Sequence, residues 1–305
     1  MGAQGIKNSL PPAGAVYAIG NFDGVHPGHR RLFHICKDVA LEKNCAVCAL
    51  TFCGLEKDGG RLISAHDRDV YLRDAGANFV LSENFSEIKD MSPREFIADY
   101  LVAGLSPSAV VCGEDFRFGK GAAGDVVFLE EVLAEHGIPL YIADTVIMED
   151  APVSTSRIKA ALSEGKVEYA EMLLGRRYSI AYPVEEGKHL GRTIGAPTIN
   201  QRFPDGMFIP KFGVYAGEVD LDGKVYPCVT NVGVRPTVDD GDFVTAETYI
   251  VGYEGDLYGR VVRVEFVRYL RGEMKFDSVD ALGEQIARDA AEVTDLYNKN
   301  NTPSV

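Results

Sequence analysis

His26 and His29 stand three residues apart in Gly20-Asn21-Phe22-Asp23-Gly24-Val-His26-Pro-Gly-His29, directly after the apolar run Ala15-Val-Tyr-Ala-Ile19. A short buried strand that enters a glycine-rich turn and then a helix sets both imidazoles on one face of a helix N-terminus. Backbone N–H groups there already favour phosphate. Imidazoles so placed can donate hydrogen bonds to a phosphorus centre that gains negative charge during an in-line displacement.

Two further segments suit the same chemistry. Gly113-Glu-Asp115-Phe116-Arg-Phe118-Gly-Lys-Gly121 follows a predicted strand, and Val153-Ser154-Thr155-Ser156-Arg157-Ile-Lys159 opens a predicted helix. Three hydroxyls and a cation in a first helical turn can grip the β- and γ-phosphates of a nucleotide. Taken alone, Ser154 reads first as an N-cap, the commonest use of serine there, and Arg157 as a solvated charge.

A second constellation lies late in the chain, in Gly191-Arg192-Thr-Ile-Gly195-Ala-Pro197-Thr198-Ile-Asn200. Glycines at both ends of a short loop let backbone approach phosphate. The Thr198 hydroxyl and the Asn200 amide oxygen are hard donors suited to Mg²⁺, and Pro197 fixes the loop between them. Glu247 falls inside a predicted strand, where it either faces solvent or orients an alcohol toward a γ-phosphate.

The elements that must carry these residues follow from apolar periodicity. Runs at 15–20, 45–52, 77–82, 108–113 and 139–147 read as strands, and 29–42, 66–75, 93–103 and 125–136 as helices. That alternation implies an open parallel sheet with helices on both faces, its ligands at the carboxyl ends of the strands. After Leu174 the chain becomes a series of short strands at 178–187, 213–221, 224–232, 244–252 and 260–271. Leu221-Asp-Gly-Lys224 is a hairpin signal. A helix begins near Ser278 with an apolar stripe of Leu282, Ile286, Ala290, Val293 and Tyr297, and 298–305 reads as frayed. The expected fold is α/β: a Rossmann-like open parallel sheet over 14–174, then a small antiparallel β-barrel with a C-terminal helix over 175–298.

The 305 residues are 46% hydrophobic and 25% charged, with a formal net charge of −14, a balance that argues against nucleic-acid or anionic-membrane partners. No apolar run reaches the ~18 residues needed to span a bilayer. Met-Gly-Ala-Gln-Gly-Ile-Lys at the N-terminus lacks a signal-peptide core, so cytoplasm is the expected compartment. Nothing indicates an oligomer. Of six cysteines, Cys45 and Cys48 form a C-x-x-C inside an apolar run with no second pair and no nearby histidines, which reads as strand core.

The first half resembles the FMN adenylyltransferase module of the prokaryotic bifunctional riboflavin kinase/FAD synthetase family. Gly-Asn-Phe-Asp-Gly-Val-His-x-Gly-His and Gly-Glu-Asp-Phe-Arg-Phe-Gly carry the likeness. It implies that His26 and His29 stabilise the α-phosphate under attack by FMN, that Ser154, Thr155 and Arg157 hold the departing pyrophosphate, and that Asp115 sits near the phosphates. Phe116 and Phe118 suit either core or a flavin-facing role. In the second half Gly-Arg-Thr-Ile-Gly-x-Pro-Thr-x-Asn, Gly213-Val-Tyr-Ala-Gly, Asn231-Val-Gly-Val-Arg-Pro-Thr, Glu247-Thr and Leu270-Arg-Gly-Glu-x-x-Phe276 follow the riboflavin kinase module in order. The likeness implies Thr198 and Asn200 at Mg-ATP, Glu247 as base toward the ribityl 5′-hydroxyl, the 191–195 loop over the phosphates and Arg271 in a flap near the flavin. ATP, riboflavin and FMN are then substrates, FAD the product and Mg²⁺ the cofactor.

The chain also departs from the family pattern. Ser154-Thr155-Ser156-Arg157 stands for Ser-Ser-Thr-Arg, no Pro-His-Pro follows Thr51-Phe52, and His66-Asp67-Arg68 replaces a Glu-Lys pair. The first keeps its hydroxyls and should cost little, while the other two bear on flavin positioning and leave the phosphate chemistry intact. In the barrel, Tyr182, Ala196, Ile199 and Tyr249 replace Gly, Phe, Ala and His. Glu185-Glu186 replaces Val-His and is expected to face water, because acids turned inward would repel ATP. The competing readings are a chain with one activity only, or a non-catalytic flavin- or nucleotide-binding regulator.

Overall fold

The computed structural model describes residues 11–54, 59–187, 196–235 and 243–301. Contacts divide the chain into two compact units, Met1–Thr155 and Ser156–Val305.

In the first unit β1 (Val16–Ile19), β2 (Val47–Cys53), β3 (Phe79–Asn84), β4 (Ala109–Gly113) and β5 (Leu140–Ala143) form a parallel sheet in the order β3-β2-β1-β4-β5. The order reverses between β1 and β4, which makes the crevice beyond their carboxyl ends the favoured ligand position. Strand β1 is buried along its whole length, as befits the centre of a sheet covered on both faces. One face packs Tyr17, Ile19, Leu50 and Cys112 against Phe96, Leu101, Leu129 and Leu133. Behind the sheet runs α1 (Pro27–Lys43), which presents Leu32, Phe33, Cys36 and Val39 inward and ends on a left-handed Asn44.

The expected elements are present, with shifted bounds. Helix α1 starts two residues early because Pro27 suits the first helical position. Next come α2 (Ala65–Ala75), capped by Ser64, and the short α3 (Phe85–Ile88). The expected helix at 93–103 is α4 (Pro93–Glu95), opened by a capping box of Ser92 and Glu95, which widens into a π-helix over Phe96–Leu105. The wider turn buries Phe96 and Leu101, five residues apart. After α5 (Val126–Glu135), the expected strand 139–147 stops at Ala143, and the next residues lead into a two-stranded hairpin of β6 (Ile147–Met148) and β7 (Ala151–Pro152).

In the second unit α6 (Thr155–Glu164) and α7 (Val167–Leu174) precede β8 (Ser179–Pro183), β9 (Thr198–Arg202), β10 (Gly213–Leu221), β11 (Lys224–Arg235), β12 (Phe243–Ile250), β13 (Val261–Arg271) and α8 (Val279–Asn301). The six strands are antiparallel neighbours in the order β8-β13-β10-β11-β12-β9, a nearly closed barrel. Its seam is stitched by the Glu185 N–H to the Asn200 carbonyl at 2.8 Å and by Gln201, whose amide donates to the Tyr182 and Val262 carbonyls at 2.7 Å each. Asp222 and Gly223 adopt φ of 56° and 86°, the left-handed pair that the 221–224 hairpin requires. Tyr215 and Phe266 meet edge to face inside the barrel. On the outer face Val214, Ala216 and Val229 are covered by Val293 and Leu296 of α8. Helix α8 runs to Asn301, past the point where fraying was expected. Strand β9 replaces the expected loop around Thr198 and Asn200, because its inward residue is Gln201 and its sequence carries no apolar alternation.

Candidate functional site

The His26–His29 segment sits at the carboxyl end of β1 and is held by backbone that few residues adopt freely. Phe22, Gly24 and Val25 have φ of 52°, 85° and 41°. A left-handed β-branched residue is a strained conformation, and it persists here because Phe22 and Val25 are fully buried. Gly20 N–H donates to the Leu50 carbonyl at 3.1 Å, and the Thr51 hydroxyl donates to the Asn21 carbonyl at 3.0 Å. Buried Asp23 accepts the Leu62 N–H, and its own carbonyl accepts the Thr155 hydroxyl at 2.9 Å. Thr155 is thereby tied to the histidine loop.

His26 occupies the N-cap position of α1 without a side-chain cap hydrogen bond, and its ring stacks on that of His29 with centroids 3.7 Å apart and planes 20° apart. The edge of Phe22 packs on His29 at 5.4 Å. A Cβ at Gly28 would stand 3.1 Å from the His26 ring, so a glycine here leaves the imidazoles their stacked geometry. The two imidazoles are thus stacked on each other beside the Phe22 ring.

The second segment divides. Gly113 ends β4, and Asp115 is exposed beside it. Phe118 is core: it pairs backbone with Gly124 and packs on Phe96 at 5.3 Å. Phe116 stacks on Phe118 and stays partly exposed. Of the third segment, Ser154 directly precedes α6 and Ser156 is exposed. Within the second unit Arg157 donates to the Tyr169 hydroxyl and lies 5.4 Å over that ring. Arg68, to which the sequence assigned no role, is buried and donates to the Phe52 carbonyl at 3.0 Å and to Ser82 Oγ at 3.1 Å, bracing the ends of β2 and β3.

On the barrel, Gly191, Arg192 and Gly195 lie outside the described residues. Pro197 is exposed and leads into β9. Glu247 of β12 lies opposite Asn200 of β9 on one side and Asn231 of β11 on the other. Thr198 is two residues from Asn200 on the same face, opposite Tyr249. Hydroxyl, amide and carboxylate thus share one face of three adjacent strands. Asn200 is nearly buried, with its Oδ1 3.5 Å from Arg235 Nη1. Glu185 and Glu186 are both exposed, as expected. Arg271 ends β13 and is held by Asp289 of α8, through Nη2 at 2.6 Å and Nε at 3.2 Å.

Cys36, Cys48, Cys112 and Cys228 are buried, while Cys45, which precedes β2, and Cys53 at its end are only partly so. All six are free, Cys48 lies in the sheet core, and burial pushes its thiol up to about 12. Among the described residues no group of three or more His, Cys, Asp or Glu side chains is arranged to hold a metal. None of their helices is long and apolar enough to cross a membrane.

A family profile described as FAD synthetase matches residues 9–157, and one described as riboflavin kinase matches 174–297. The bifunctional riboflavin kinase/FMN adenylyltransferase of Escherichia coli (strain K12) is 34% identical over 305 residues, covering 96% of this chain and 97% of the relative. The enzyme of the same description from Bacillus subtilis (strain 168) is 32% identical over 297 residues, covering 94% and 93%. A crystal structure of a Streptococcus pneumoniae protein described as a macrolide-efflux protein superposes with a TM-score of 0.81 at 29% identity, covering 93% of this chain and 94% of that one. With relatives alike over nearly its whole length and a match to each module, the chain belongs to the bifunctional riboflavin kinase/FMN adenylyltransferase family.

Proposed function

We propose that the chain makes FMN and then FAD at two separate sites, with an adenylyl-transfer module over 14–174 and a kinase module over 175–298. At the barrel face, Glu247 accepts the proton of the ribityl 5′-hydroxyl as that oxygen bonds to the γ-phosphorus of ATP and ADP departs. At the sheet, a phosphate oxygen of FMN attacks the α-phosphorus of a second ATP, and pyrophosphate leaves. His26 and His29 donate to the α-phosphate oxygens as charge builds. Gly20, Asn21, Phe22, Asp23, Gly24, Gly113, Asp115 and Phe116 line the nucleotide and flavin, and Ser154, Thr155, Ser156 and Arg157 take the pyrophosphate. Neither step needs a covalent protein intermediate, so catalysis is positioning and electrostatics.

The oxygen donors of Thr198 and Asn200 suit a hard divalent cation, and these residues would hold Mg²⁺. When bound, the ion neutralises phosphate charge. Small molecules are the expected partners, and cytoplasm the expected compartment.

The observation that carries the reading is the pair of pre-built constellations: stacked imidazoles at a sheet switch point, and a carboxylate flanked by two asparagines on a barrel face. Chromatography of flavins after incubation with ATP tests it. Riboflavin should give FMN and FAD, and FMN should give FAD. A chain that forms only one product holds a single activity, and one that forms neither is a binding protein.

A further inference from the structure

We propose that Arg235 is a phosphate-binding residue of the kinase site, an inference that rests on the reading of that site given above. Arg235 closes β11 opposite Phe243 of β12. Asn231, Gly233 and Arg235 alternate onto one face of β11. Their partners Glu247, Thr245 and Phe243 carry that face across β12 to Asn200 and Arg202 of β9.

Arg235 is half-buried, and its guanidinium donates to Asn200 Oδ1 at 3.5 Å. Among the described residues no carboxylate pairs with it. Among the described residues this cation meets only a neutral amide, and an anionic ligand would supply a counter-charge. The rest of the face needs such a cation. Glu247 stands on it, and Glu273 lies so close over Gly233 that a Cβ there would be 2.2 Å from its Oε1. Two carboxylates beside a triphosphate repel it. Arg202, also on this face, is exposed and stacks 4.5 Å over the Phe243 ring. Arg235 therefore carries the charge directed at the row of Asn200 and Glu247.

A planar guanidinium fork matches two phosphate oxygens at once. As the 5′-oxygen bonds to the γ-phosphorus and the bond to the β–γ bridging oxygen breaks, charge spreads over the γ-oxygens while the proton passes to Glu247 and the bond pair leaves with ADP. Arg235 holds those oxygens. The residue belongs to the Asn231-Val-Gly-Val-Arg235-Pro-Thr segment, which had a place in the sequence pattern but no assigned task.

The test uses the full chain as Arg235→Gln and Arg235→Lys. FMN formation, flavin-fluorescence titration with riboflavin, and calorimetry with a β,γ-imido ATP analogue are read in parallel, with FAD formation from supplied FMN as the control on folding. For Arg235→Gln we expect kcat to fall by about 10²–10³-fold, a weakened hold on the analogue, unchanged riboflavin affinity and unchanged FAD formation. Arg235→Lys should recover part of the loss. A glutamine variant with kcat within about twofold of the parent and unaltered analogue binding overturns the proposal, as does a loss shared by riboflavin binding and FAD formation. If the parent chain forms no FMN, the kinase reading itself fails, while calorimetry still decides whether Arg235 binds the anion.

Discussion

Val25 and Phe22 hold a strained turn so that His26 and His29 are stacked before any ligand arrives. His29→Ala should therefore cut FAD formation from FMN by about 10²–10³-fold and leave FMN formation from riboflavin within about twofold. Product chromatography reads both. Arg68 works structurally at the strand ends, and burial lowers its guanidinium pKa from the usual arginine range. Arg68→Met strips the buried Phe52 carbonyl of its donor and should cost about 1–3 kcal/mol in chemical denaturation. Cys48 and Cys112 are buried with thiols pushed up to about 12 by desolvation, so a thiol reagent at neutral pH should reach them only after unfolding. Rapid labelling of Cys48 in the native chain would restore the reactive reading of its C-x-x-C. The histidines were legible in the sequence because a strand, glycines and spacing coincide. Arg235 was not, since its relation to Asn200 arises only when β11, β12 and β9 lie side by side.

The parallel strands showed themselves as continuous apolar runs, because a covered sheet buries both faces. Strand β9 hid behind Pro197 and the polar run Thr-Ile-Asn-Gln-Arg, for its inward side chain is an amide that satisfies backbone across the seam. Gln201→Leu should remove the two amide hydrogen bonds across the seam and cost about 1–3 kcal/mol, lowering the denaturation midpoint and FMN formation together. The π-helix was unreadable for a similar reason: at 93–103 the apolar spacing fits an α-helix until the depth of Phe96 and Leu101 in the core is known. In β10 a Cβ at Gly217 would stand 2.5 Å from the Glu265 carbonyl, which fixes glycine where two strands crowd at a register shift. Gly217→Ala should destabilise the barrel by about 1–3 kcal/mol, measured as a shift in denaturant midpoint.

Across the whole molecule a net charge of −14 is compatible with two nucleotide chemistries, because a few local cations suffice for a phosphate, and Arg157 and Arg235 are the ones we propose for that task. The central claim is that each module does its own chemistry. Supplying ATP with riboflavin, or with FMN, to the parent chain, His29→Ala and Glu247→Gln, and separating the flavins, tests it most directly. We expect His29→Ala to stop at FMN, and Glu247→Gln to leave riboflavin unphosphorylated yet convert supplied FMN to FAD. Either substitution abolishing both activities, kinase from riboflavin and adenylyl transfer from supplied FMN, or leaving both at parental rates, would contradict it.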